Sequence, residues 1–143
     1  MDVTLRGIAS LTYWADDVAA AAAWYTELLG SGPVFTRPGP GGQLGYAAFA
    51  VGESTRLAIA GRTTAPAGAA LEPGGAVGAW RVDDLDAVLE RMTSMGAKEW
   101  IPLTPHGPVV SVAVLDPFGN VVGLISDNHP AADFRPGGGQ RPS

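Results

Sequence analysis

The chain is expected to fold as an α+β protein of two βαβββ modules, and three observations carry that expectation. An acidic pair opens an apolar-periodic segment twice, as Asp16-Asp17-Val18 and Asp83-Asp84-Leu85, so that Asp16 and Asp83 stand 67 residues apart in a chain of 143. Short apolar runs rich in Val, Ile and Leu flank both segments and are punctuated by Gly and Pro. The last two runs are joined by Asp116-Pro117-Phe118-Gly119-Asn120. In that cassette Pro117 fixes its own φ and biases Asp116 toward extended backbone, Gly119 supplies a positive φ, and Asp116 and Asn120 bond nearby amides. A short loop between antiparallel strands follows, with Asp116 as a structural cap.

The periodic segments are helices. In the first, Val18, Ala21, Ala22, Tyr25, Leu28 and Leu29 share one face; in the second, Leu85, Val88, Leu89, Met92 and Met95 do so. Each starts after an Asp able to cap free amides and ends at glycine, Gly30 or Gly96. Trp24 and Tyr25 read as helix packing.

Strands are expected at 8–15, 33–36, 45–51 and 56–60 in the first module and at 77–82, 99–103, 109–115 and 121–126 in the second. The length suits one domain, 1–128, with modules at about 5–60 and 76–126 and a Gly/Ala/Thr/Pro-rich linker at 61–75. Residues 129–143, with Pro136-Gly137-Gly138-Gly139, are too poor in apolar surface to offset the cost of ordering and read as a disordered tail.

Composition narrows the function. A net charge of −5 argues against nucleic acid, which needs clustered Lys and Arg, and an acidic surface favours cationic ligands. Without cysteine there is no disulfide, thiolate nucleophile or Cys-based metal site. No membrane-length apolar run and no signal-like start are present, so the expected location is cytoplasmic. The run Gly39-Pro40-Gly41-Gly42-Gln43-Leu44-Gly45 precedes a strand and lacks the Lys-Ser/Thr ending of a phosphate cradle, so it reads as a hairpin loop. No nucleophile elbow occurs, and Ser10 or Ser111 with His106 makes no recognisable triad.

The paired modules, Trp24-Tyr25 before Leu28-Leu29-Gly30, Val82-Asp83-Asp84-Leu85 and the Asp116–Asn120 turn resemble the vicinal oxygen chelate superfamily over about residues 5 to 126. That group includes glyoxalase I, extradiol dioxygenases, fosfomycin-resistance transferases and bleomycin-resistance proteins. The resemblance implies curled mixed sheets around a cavity, with metal ligands, where present, on the first and last strands of each module. Carried onto this sequence those positions are Ser10, Ala58, Val77 and Gly123, none of them His, Asp or Glu. Their neighbours supply no such donor either, and His106 with Glu53 or Glu99 has no spacing that joins them. The expectation is therefore a cavity without metal or cofactor.

Strand alternation then assigns the lining. If Ser10 faces inward, so do Thr12 and Trp14, while Leu11 and Tyr13 lie under the helix; Val77, Ala79 and Arg81 face inward in the second module. Arg56, Ala58, Val121, Gly123 and Ile125 complete the lining, and the small Ala58, Ala79 and Gly123 leave room where ligands to a metal would have projected. The candidate ligand-binding residues are Trp14, Tyr46 and Trp100 as stacking surfaces, Arg81 as an anchor for an anionic or carbonyl group, and His106 in a loop before a strand. The expected function is sequestration of a small organic molecule by a homodimer of the bleomycin-resistance type. A lyase, isomerase or dioxygenase of the same superfamily, metal-dependent or not, is the alternative.

Overall fold

In the computed structural model, residues 4–69 and 72–133 are described. The chain divides into two compact units, Met1–Leu71 and Glu72–Ser143. The first unit contains β1 (Ser10–Ala15), α1 (Val18–Leu29), β2 (Phe35–Pro38), β3 (Leu44–Val51) and β4 (Thr55–Gly61), with the sheet order β1-β4-β3-β2. The second contains β5 (Ala79–Arg81), α2 (Leu85–Ser94), β6 (Lys98–His106), β7 (Val109–Leu115) and β8 (Val121–Ser126), in the order β5-β8-β7-β6. Each unit is thus a βαβββ module with an open mixed sheet in which the first and last strands run parallel and the other pairs antiparallel.

The helices start and stop where their local chemistry directs. Asp17 Oδ1 accepts from the Ala20 amide at 3.0 Å and Asp84 Oδ1 from the Ala87 amide at 3.1 Å, each satisfying a donor that the first helical turn leaves open. Five consecutive alanines, the best helix formers, fill the first half of α1. Its buried face is Val18, Ala21, Ala22 and Tyr25, and the Tyr25 ring lies 5.7 Å from Tyr13 beneath it. Small alanines there let the helix approach the sheet, and the aromatic pair fills the remaining space.

Alternation along the strands fixes the core of each unit. In the first, Tyr13, Ala15, Ala47, Phe49, Leu57 and Ile59 are buried on the side of α1. In the second, Val110, Val112, Val114, Val122, Leu124 and Ser126 are buried as one alternating set, with Leu85 and Met92 as the buried residues of α2. Full burial of one large apolar side chain contributes about 1.5–3 kcal/mol, so these sets outweigh any surface pairing.

The turn between β7 and β8 forms as its residues dictate. Asp116, 4 % exposed, accepts at Oδ1 from the amides of Phe118 (2.9 Å) and Asn120 (2.8 Å), and at Oδ2 from Asn120 Nδ2 (3.0 Å). Gly119 takes φ 92°, a conformation in which a side chain would be strained. Within the run 39–45, residues 39–43 form the hairpin loop between β2 and β3, closed so tightly that a Cβ on Gly45 would lie 2.6 Å from Gly39 Cα.

Several strand limits differ from the sequence expectation. Pairing in β1 begins at Ser10 rather than residue 8, and β2 runs two residues further, to Pro38. The expected strand 77–82 shrinks to Ala79–Arg81, leaving Val77 ahead of it and 44 % exposed. Strand β6 continues to His106 through register shifts between Glu99 and Ile101 and between Ile101 and Thr104. His106 therefore ends a strand, opposite Val109, instead of standing in a loop. The expected linker carries a short 3-10 turn, Arg62–Thr64. Of the expected tail, His129 binds Asp86 on α2 at 3.0 Å, and residues 134–143 lie outside the described residues.

Candidate functional site

Each sheet has a second face, turned away from its helix, and strand register specifies which residues share it. In the first unit Trp14, Ala60, Tyr46 and Arg37 form one row across β1, β4, β3 and β2. Thr12, Ala58, Ala48 and Phe35 form the next row, and Ser10, Arg56 and Ala50 follow. Ala48, Ala58 and Ala60 are buried, a floor of methyl groups beside the larger half-buried Trp14 and Tyr46. One strand separates Trp14 from Tyr46, which sets their backbones roughly 9–10 Å apart. A planar ring stacked between two others needs about 7 Å, twice the carbon contact distance of ~3.5 Å.

Phe35 and Arg37 extend this surface. The Phe35 ring meets Tyr46 edge-on at 6.0 Å, and the Arg37 guanidinium lies 4.6 Å from the Tyr46 ring centroid, a cation–π arrangement. Neither residue entered the sequence-based site. Phe35 and Arg37 alternate with Thr36, and carrying the expected strand one residue past its limit would have shown that they share a face.

A cavity of about 580 Å³ opens beside the Trp14 row and shares Ala60, Tyr46 and Arg37 with it. Asp16 and Asp17 just ahead of α1, the hairpin between β2 and β3 and the turn at Arg62–Thr64 form its other walls. Its size falls within the ~300–1,000 Å³ usual for small-molecule sites. Asp17 is engaged in capping α1, and Asp16 pairs with Arg62 at 3.2 Å.

The second unit presents a different surface. Arg81, Ile125, Ser111 and Thr104 form the row corresponding to Trp14, Ala60, Tyr46 and Arg37, and His106 Nε2 lies 3.1 Å from Ser111 Oγ. Arg81 pairs with Asp127 at 3.1 Å, with both side chains largely exposed. Trp100 falls in a register break, without a strand partner, and is 39 % exposed. Among the five sequence-derived candidates, register joins Trp14 with Tyr46 in the first unit, and Arg81 and His106 share a face in the second.

The residues at the four positions where a metal would be held do not fit one. Ser10 offers a hydroxyl, Ala58 and Val77 offer no donor, and Gly123 has no side chain. A Cβ at Gly123 would meet Gly78 O at 3.1 Å and Ala79 Cα at 3.3 Å, so this position does not provide the room expected of it. Among the described residues no three of His, Asp and Glu are grouped to hold a metal ion.

With this geometry, the model of the Glyoxalase/Bleomycin resistance protein/Dioxygenase superfamily matches residues 7–124. The chain belongs to this superfamily. Solved structures with the same fold include a glyoxalase/bleomycin resistance protein from Catenulispora acidiphila DSM 44928, 28% identical, with a TM-score of 0.58, covering 83% of this chain and 96% of that one. TnmS3, an antibiotic binding protein from Streptomyces sp. CB03234, is 24% identical with a TM-score of 0.63, covering 89% and 100%. Protein ATC0852 from Agrobacterium tumefaciens is 19% identical with a TM-score of 0.70, covering 87% and 100%. No curated protein matches the chain. Among the described residues no helix is long and apolar enough to cross a membrane.

Proposed function

We propose that this protein binds a small, flat organic molecule against the helix-free face of its first sheet, without a metal ion, and holds it rather than transforms it. The observation that carries this reading is the row Trp14–Ala60–Tyr46–Arg37, with two ring systems on either side of a methyl floor. Stacking on such rings adds about 0.5–1.5 kcal/mol beyond area burial, and the adjoining cavity has the volume for a drug-sized molecule. The unsuitable donor set at Ser10, Ala58, Val77 and Gly123 supports binding over metal-assisted chemistry. TnmS3 offers a precedent for antibiotic binding within this fold. The reading carries with it a homodimer, for which exposed Trp100 and Ile101 supply apolar surface, and a cytoplasmic location.

Titration with 2-naphthylmethanol, a flat neutral probe, tests the reading. The Trp14 indole NMR signal, assigned through Trp14→Phe, should shift with saturation, and the alcohol should be recovered unchanged. An unmoved Trp14 signal would sink the site, and a recovered product would replace binding by catalysis.

A further inference from the structure

Charge is distributed unevenly over the two sheets. Four basic residues, Arg37, Arg56, Arg81 and Lys98, occupy paired strand positions on the helix-free faces, and no Asp or Glu among the described residues does. The described acidic residues lie instead on helices, at caps, in turns and bends and, as Glu99, on the face opposite. The acidic composition is therefore a poor guide to the ligand.

At the aromatic row the imbalance becomes specific. Asp127 pairs with Arg81 and Asp16 with Arg62, but neither Arg37 nor Arg56 has a carboxylate partner among the described residues. Arg37 combines a ring contact with a place on the cavity wall. The Tyr46 ring, 4.6 Å from the guanidinium carbon, covers one side of this cation, and the five N–H donors of a guanidinium lie in its plane and point outward from its edge. That edge matches a carboxylate or sulfonate, which accepts two parallel N–H bonds. The two cavity carboxylates do not compete, since Asp17 caps α1 and Asp16 is paired.

We infer that the ligand is a planar aromatic acid: its rings lie along the Trp14–Tyr46 row and its anionic group bonds Arg37 at the mouth of the cavity. This inference rests on the binding reading above. Arg56, four residues from Ala60 along the same strand and thus about 13 Å away, is out of reach of the same group.

Three naphthalenes with the same ring system and different charge separate the possibilities: naphthalene-2-sulfonate, 2-naphthylmethanol and 2-naphthylmethylammonium, each titrated calorimetrically and by the Trp14 indole signal. The sulfonate should bind at least about tenfold more tightly than the alcohol and the ammonium most weakly. Arg37→Gln should bring the sulfonate's affinity down to within about twofold of the alcohol's in the same variant, with an unchanged amide spectrum elsewhere as evidence of folding. If the alcohol or ammonium binds as tightly as the sulfonate with the Trp14 signal moving, the anion assignment falls and the binding site stands. A sulfonate preference that survives Arg37→Gln also overturns the assignment. If none of the three moves the Trp14 signal, both fall.

Discussion

The two units share one backbone plan and differ in what they place on it. Trp14, Ala60, Tyr46 and Arg37 in the first occupy the same four strands, in the same order, as Arg81, Ile125, Ser111 and Thr104 in the second. One row has rings and a cation in contact with one of them; the other has hydroxyls, an ion-paired arginine and the nearby His106. The rows beneath both rely on small residues, Ala58 and Ala48 against Gly123 and Ala113. The fold thus sets a lattice of positions, and a handful of side chains on one face sets the chemistry.

The hairpins closing each sheet differ as well, and here the largest effect is expected. Asp116→Ala leaves two amides and a side-chain donor without their charged acceptor, which should cost about 3 kcal/mol in urea denaturation. Glu53→Ala, in the exposed turn of the first unit, should change stability by less than about 0.5 kcal/mol. Equal losses would erase the contrast between the two turns.

Next in size is the contrast between the two faces. Trp14→Ala should weaken naphthalene-2-sulfonate binding by about 1–3 kcal/mol, measured calorimetrically. Arg81→Ala should weaken it by under about 0.5 kcal/mol, since that arginine is exposed and already paired. An equal loss from Arg81→Ala would overturn the assignment of binding to the first sheet.

Gly123→Ala tests the floor of the second sheet. The new methyl group meets Gly78 O and Ala79 Cα, so stability should fall by about 1–2 kcal/mol by thermal denaturation, while the probe binds as before. Where the units agree, the effects should match: Asp17→Ala and Asp84→Ala each remove one helix cap and should each cost about 1 kcal/mol. Losses that differ several-fold would show that one helix depends far less on its cap.

These cases also mark how far the sequence was readable. Asp17, Asp84 and the Asp116–Asn120 turn act through neighbours within a few residues, so their roles follow from local pattern. The assignment of Trp14 to the helix-free face followed from alternation in the same way. Its alignment with Tyr46 did not, because the offset between β3 and β4 is set by pairing across the whole strand. His106 was misplaced for a related reason: β6 regains its register after two irregularities that no local residue preference specifies. Arg37 was missed because it lies one residue beyond the expected end of its strand, at a boundary where pairing decides whether the chain stays extended.

The broken registers of β2 and β6 have a further consequence. Both are edge strands that display apolar side chains, Phe35 on one and Trp100 and Ile101 on the other. An unbroken apolar edge is a template on which strands of other molecules add, the first step toward fibrous aggregation. Shifts at Arg37/Pro38, at Glu99/Ile101 and at Ile101/Thr104 interrupt that template, and Pro38, Pro102 and Pro105 remove donors along it. The chain can therefore keep rings and branched side chains at its sheet margins without offering a continuous ladder on which copies could polymerise.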